Sequence, residues 1–220
     1  MDGEVKAIST LYLPLRNWCI WLAITAASVI ASDLWLDQPI AIFVHRNIAD
    51  KTFFVWLQRL PIAFLMLSLV ALAWCGLWAL MQRPFSRVQS IGLACSMSFI
   101  AANFITNQLK YALGRTWPET WIQNNPSYIQ NGVFGFNPFH GGAGFASFPS
   151  GHVAAVCAVV TVLWWSYTSL RLIHIACVAA VAIGLIGANY HFLSDILGGI
   201  FVGISVGYVT TKIPTSKMES

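Results

Sequence analysis

The feature that most constrains this chain is a succession of long apolar runs, separated by short polar turns and one long connection. The runs cover about 18–36, 60–81, 91–109, 152–167, 172–190 and 196–213. Most approach the ~20 residues that a helix needs to cross a bilayer, and the fourth is short unless its neighbours are included. Charged residues make up 9% of the 220-residue chain and hydrophobic ones 57%, whereas a soluble domain carries roughly 25% charged residues. The expectation is an all-α, polytopic membrane protein. It has six transmembrane helices, an interfacial helix and a long extracytoplasmic loop, in a single domain over 1–220.

The first run is expected to be a retained span, because the polar stretch before it is long for the start of a signal peptide. Segment 38–60 mixes Ile40, Phe43, Phe53 and Trp56 with His45, Arg46, Asp50, Lys51 and Arg59, a pattern that suits a helix lying in the interface. The connection 111–148 carries Pro118, Pro126, Pro138 and many Gly and Asn, and a loop of that length is commonly functional. In the last run, Gly198, Gly199, Gly203 and Gly207 permit close helix contact. The five cysteines lie in or beside apolar runs with no C-x-x-C spacing, as small buried side chains do.

The net charge of +4 is modest and scattered over run ends, which speaks against a nucleic-acid partner. Six spans place both termini on one side. Lys6, Arg16, Arg83, Arg87, Arg171, Lys212 and Lys217 then share the terminal side, against Arg46, Lys51, Arg59, Lys110 and Arg115 opposite. The excess of cations predicts cytoplasmic termini. Three polar clusters fall on the other face, towards the periplasm or exterior of an inner membrane: 110–118, 148–152 and 191–195.

Each cluster carries chemistry. His191 and Asp195 are four apart, so a helix starting near His191 would put both on one face. A carboxylate on one imidazole nitrogen fixes the tautomer and leaves the other nitrogen a free lone pair. His152 opens an apolar run behind Ser150-Gly151, where Ser150 is a candidate N-cap and the first backbone N–H groups attract an anion. Lys110 and Arg115 flank Gly114 at a span end, where fixed cations suit a phosphate. Any one of these alone reads as an ordinary cap or a snorkelling cation. Their shared face is what points to a site. The midplane positions of the runs are nearly all apolar, Asp33 being the closest exception, which argues against a conduction path.

Lys110-x4-Arg115-x2-Pro118, then Pro149-Ser150-Gly151-His152, then His191-x3-Asp195 resembles the three-part signature of the type 2 phosphatidic acid phosphatase family, which also includes the vanadium haloperoxidases. The resemblance runs from about residue 100 to 205, and Ile196-Leu197-Gly198-Gly199 also looks like the family. It implies a membrane phosphatase acting on a lipid phosphate or pyrophosphate, with His191 as nucleophile and phosphohistidine carrier. Asp195 would orient His191, and His152 would be the general acid. Lys110, Arg115, Ser150 and Gly151 would hold phosphate oxygens. The resemblance calls for no metal or other cofactor, since fixed cations and amides neutralise the transition state. Membrane lipids are the expected surroundings, and no protein partner is indicated. A lipid-to-lipid phosphotransferase or a catalytically silent lipid-phosphate binder shares these features.

Two positions depart from the pattern. Trp117 and Leu185 stand where the family usually has arginine, and Asn107, His140 and Asn189 are positioned to compensate.

Overall fold

The structure, a computed structural model, describes residues 15–213, with side chains from residue 16. Lys6 and Lys217, counted above for orientation, lie outside the described residues. Nine α-helices occur among the described residues: α1 (Leu15–Trp35), α2 (Asp37–Asn47), α3 (Thr52–Leu57), α4 (Leu60–Leu80), α5 (Arg87–Leu113), α6 (Tyr128–Asn131), α7 (Gly151–Ser166), α8 (Arg171–Gly187) and α9 (Leu193–Lys212). No strand accompanies them, only isolated bridges within the long connection.

Among the described residues, five segments are long and apolar enough to cross a membrane: Arg16–Trp35, Thr52–Leu80, Arg87–Leu113, Thr168–Gly187 and Leu193–Lys212. The expected fourth span is α7, a shorter helix of 16 residues. At 1.5 Å per residue it is about 24 Å long, less than the ~30 Å of a hydrocarbon core. Val153 to Val160 are all buried, so α7 is enclosed by its neighbours. The expected interfacial segment resolves into two helices. Asp50 accepts a hydrogen bond from the Thr52 N–H at 2.9 Å, which starts α3, and α3 runs on towards α4.

Helix α9 packs on α7 through its glycines. A Cβ on Gly199 would lie 2.7 Å from the Ser150 carbonyl oxygen; on Gly203, 2.4 Å from that of Ala154; on Gly207, 2.5 Å from that of Ala158. Steps of four on one helix match steps of four on the other, which is the small-residue packing by which helices approach closely in lipid. Gly203→Val is expected to lower the detergent melting temperature. It costs about 1–3 kcal/mol of stability through overpacking, and thermal-shift measurement on the purified protein checks this.

The pairing fixes the site. With α7 and α9 held in this register, the starts of both lie side by side, and the Ser150 N–H donates to the Asp195 carbonyl oxygen at 3.0 Å. Helix α5 ends nearby. It stops at Gly114, whose left-handed backbone (φ 54°) lets its N–H close on the Lys110 carbonyl at 2.8 Å. A side chain there would collide with the Asn137 carbonyl oxygen, 1.9 Å from an ideal Cβ. At the opposite end of the bundle, Arg87 donates to the Ser166 carbonyl oxygen at 3.3 Å. Arg171 lies over Trp164 and Lys212 over Trp165 at that same end.

Candidate active site

His191 sits in the turn before α9, two residues ahead of the helix, and not on the helix itself as its spacing to Asp195 suggests. The expected pair nevertheless forms. Asp195 Oδ2 accepts the Phe192 N–H at 2.9 Å, as an acidic residue in the first turn does, and lies 3.2 Å from His191 Nδ1. Since a carboxylate only accepts, Nδ1 carries the proton and Nε2 keeps its lone pair. His191 is 5% exposed. Burial is the largest influence on its imidazole and pushes it below the ordinary range. Asp195 pulls it up, while Lys110 and Arg115 push it down. The ring is therefore neutral, with a free Nε2, at neutral pH.

The start of α7 and the end of α5 come together beside it. Lys110 Nζ lies 3.6 Å from where a Cβ on Gly151 would be, so the expected cation and amide share one place. His152 is exposed and lies within electrostatic range of both His191 and Lys110. Ser150 stands at the expected N-cap position of α7 with an extended backbone, but it makes no side-chain cap bond, and its Oγ is buried without a protein partner.

Arg115 differs from expectation most. Its guanidinium is fully buried and committed to protein carboxylates. Nη2 donates to Asp33 and, at 2.8 Å, to Asp37; Nη1 donates to Ser194 Oγ and, at 2.6 Å, to Asp195 Oδ1. The rings of Phe134, Phe136 and Phe192 surround it at 5.4, 4.8 and 4.6 Å. Its side chain braces Asp195 from behind, and its bonds run to Asp195 and not towards Gly151. The reason is topological: the residue after the Gly114 cap turns back under the loop, where its backbone bridges to Phe136 and Ala146.

The two positions that depart from the signature are filled by packing. Leu185 is 1% exposed, in a core with Val153, Val156 and Ile196. Trp117 lies with its ring 5.1 Å from that of His191, its Nε1 donating to the Ala143 carbonyl at 2.8 Å. Of the compensating candidates, Asn107 is exposed and His140 stacks on Phe145 at 3.9 Å. Asn189 donates to the Ala41 carbonyl at 3.1 Å and to Glu119 at 3.0 Å. Glu119 also pairs with Lys51 and His45. Burial alone would raise its carboxyl, but Lys51, Asn189 and His45 together hold it below the ordinary range.

Sequence reasoning missed four groups. Ser147 donates to Asp195 Oδ2 and lies 3.4 Å from His191 Nδ1. Asp37, Ser194 and Asp33 complete the Arg115 network. The signal available was an acidic pair, Asp33 and Asp37, at the end of an apolar run, of which Asp33 alone is noted above, as a polar exception among the apolar positions.

The sequence is 29% identical over 199 residues to a lipid A 1-phosphatase of Rhizobium etli, covering 87% of this chain and 82% of that protein. A lipid A 1-phosphatase of Rhizobium johnstonii is 27% identical over 91% of this chain and 82% of its own length. In fold, the chain is similar to the crystal structure of a transmembrane PAP2-type phosphatidylglycerolphosphate phosphatase from Bacillus subtilis. That match has a TM-score of 0.57 and 19% identity, over 94% of this chain and 100% of the other. The expectations of an all-helical membrane fold and of a phosphatase are borne out. The PAP2 superfamily description matches residues 91–219, more than half of the chain, and the chain belongs to that superfamily.

Proposed function

We propose that this protein removes a phosphate from a lipid phosphomonoester or pyrophosphate at the extracytoplasmic face, through a phosphohistidine on His191. The observation that carries this reading is the buried His191–Asp195 pair at 3.2 Å, beside the Lys110–Gly151 juncture at the start of α7. Lys110, the α7 backbone N–H groups and the unpartnered Ser150 hydroxyl would hold the phosphoryl oxygens. A helix start favours an anion there.

His191 Nε2 attacks phosphorus, and the bond from phosphorus to the leaving oxygen breaks. His152 gives its proton to that oxygen. Asp195 balances the charge that forms on the imidazole. In the second half, His152 takes a proton from water, water oxygen attacks phosphorus, and the N–P bond breaks, returning His191 to its neutral form. With Lys110 and Arg115 set aside as site residues, Arg16, Arg83, Arg87, Arg171 and Lys212 outnumber Arg46, Lys51 and Arg59 among the described residues, which supports a cytoplasmic opposite end and an outward-facing site.

The names of the Rhizobium relatives make the phosphate of a lipid-borne sugar the first substrate to try. The test is phosphate release by purified protein from phosphatidic acid, phosphatidylglycerol phosphate, a polyprenyl pyrophosphate and a phosphorylated glycolipid, together with vanadate binding. Release from at least one, inhibited by vanadate, is the expected result. No release from any of the four, with no vanadate bound, contradicts the reading and leaves a silent relative.

A further inference from the structure

Helix α2 grips the nucleophile's turn on both sides. Before His191, the buried Asn189 stands in the left-handed region (φ 58°) and donates to the Ala41 carbonyl of α2 at 3.1 Å. After it, the Ser194 N–H donates to Asp37 Oδ1 at 3.0 Å, and Ser194 Oγ donates to Asp37 Oδ2. Asp37 is 1% exposed and accepts two further bonds, from Ser32 Oγ at 2.8 Å and from Arg115 Nη2 at 2.8 Å. Arg115 Nη1 then reaches Asp195 at 2.6 Å, and Asp195 reaches His191. A continuous line of buried polar contacts therefore runs from the first turn of α2 to the imidazole.

We propose that Asp37 is a positioning residue for the phosphoryl-transfer step, and that α2 is the brace that holds His191 and its carboxylate partner in register. The proposal rests on the phosphatase reading above. Two physical arguments carry it. The first is geometric: a nucleophile in a turn ahead of its helix has no helix to hold it, and small misplacements of reacting groups are costly. Contacts on both flanks replace that support.

The second argument is electrostatic. The charged groups around His191 are Asp195 from α9, Lys110 from α5 and Arg115 from the loop, with the second imidazole, His152, from α7. Behind them stand Asp37 of α2 and Asp33 of α1 on the Arg115 guanidinium. The network behind His191 holds one cation, Arg115, against three carboxylates, so it is net negative on the side of the ring away from the substrate. Positive charge develops on His191 as it attacks phosphorus. A buried cluster of this balance favours the charged ring of the transition state over the neutral ring of the resting site.

The test is Asp37→Asn, which keeps the shape and removes the charge. Thermal shift verifies the fold. The His191 imidazole is followed by histidine-labelled NMR in detergent, and turnover is measured on whichever lipid phosphate the wild type hydrolyses. With one carboxylate gone, Arg115 is less neutralised and the protonated ring is less favoured. The His191 titration, and with it the acid limb of kcat/KM, is expected to move to lower pH by about half a unit. The kcat is expected to fall by up to about 100-fold, with KM changed by less than about threefold. Should Asp37→Asn not fold, Asp33→Asn strips charge from the same guanidinium at a partly exposed position and carries the same direction of shift. A folded variant with wild-type kcat and an unmoved His191 titration overturns the proposal. The titration needs no substrate, so a wild type silent on every lipid phosphate sinks the phosphatase reading while the brace is still decided.

Discussion

His191→Gln abolishes phosphate release: turnover of the preferred lipid phosphate is expected to fall by about 10⁴-fold or more, as removal of a nucleophile does in other enzymes. The variant is chosen so that little else changes. The Gln amide can still donate to Asp195 Oδ2, which keeps its bonds from the Phe192 N–H and Ser147 Oγ. The imidazole is packed against Trp117 at 5.1 Å, and an amide of similar reach limits the void. The melting temperature is therefore expected to stay near that of the wild type while activity disappears. Vanadate binding separates two ways of losing activity. If Lys110, Ser150 and the α7 start hold the phosphoryl oxygens, the variant still binds the anion non-covalently, though more weakly.

Arg115→Met has the opposite signature: a large loss of stability, with activity lost as a consequence. The methionine stem can occupy the space between Phe134, Phe136 and Phe192, but the guanidinium leaves Asp37 and Asp195 buried and Asp33 partly buried without their cation. Breaking a buried ion pair by removing one partner typically costs about 3–5 kcal/mol, and here one cation serves three carboxylates. The expected result is a strongly lowered melting temperature in detergent at neutral pH, partly restored as pH falls and the orphaned carboxylates take up protons. If Arg115 were chiefly a phosphate ligand, the variant would keep its melting temperature and show only a raised KM.

These two residues also mark what a linear reading can and cannot reach. His191 and Asp195 are four apart, and Pro149 to His152 are contiguous, so their chemistry is local and visible in spacing. The glycine stripe of α9 is equally local, a period of four on one helix, and its packing on α7 follows from it. Arg115 looked like a phosphate ligand because it follows Lys110 and Gly114 closely. What decides its role is the set of partners supplied by Asp33, Asp37 and Asp195, all three some eighty positions away, two before it and one after. No local pattern announces that a cation will be shared by three distant carboxylates. Helix α2 was hidden for a related reason. Its mixture of apolar and charged side chains is what a helix in the membrane interface shows, and the same mixture serves a helix whose polar edge is turned onto the candidate active site. Ser147 was hidden because a serine in a proline- and glycine-rich loop has no preferred partner until the loop is folded. The backbone bridge from Arg115 to Ala146, together with the Ser147 N–H donating to the Arg115 carbonyl oxygen at 3.1 Å, is what delivers it to Asp195.

Trp117 and Leu185 carry a different lesson. Each fills its position by packing, one against His191 and the other in the core beneath the same turn. Lys110 is left as the cation beside Gly151 that is not spent on a protein carboxylate among the described residues of the site. On the reading proposed above, the phosphoryl group would meet Lys110 together with neutral donors, the α7 amides and the Ser150 hydroxyl.

The most direct test of a phosphoryl-transferring histidine at this position is rapid quench of the purified protein turning over a radiolabelled lipid phosphate, followed by peptide mapping. Acid-labile, base-stable label on the peptide that contains His191, absent from His191→Gln, is the expected result. Phosphate release at the wild-type rate by His191→Gln, or label on a different residue, contradicts it.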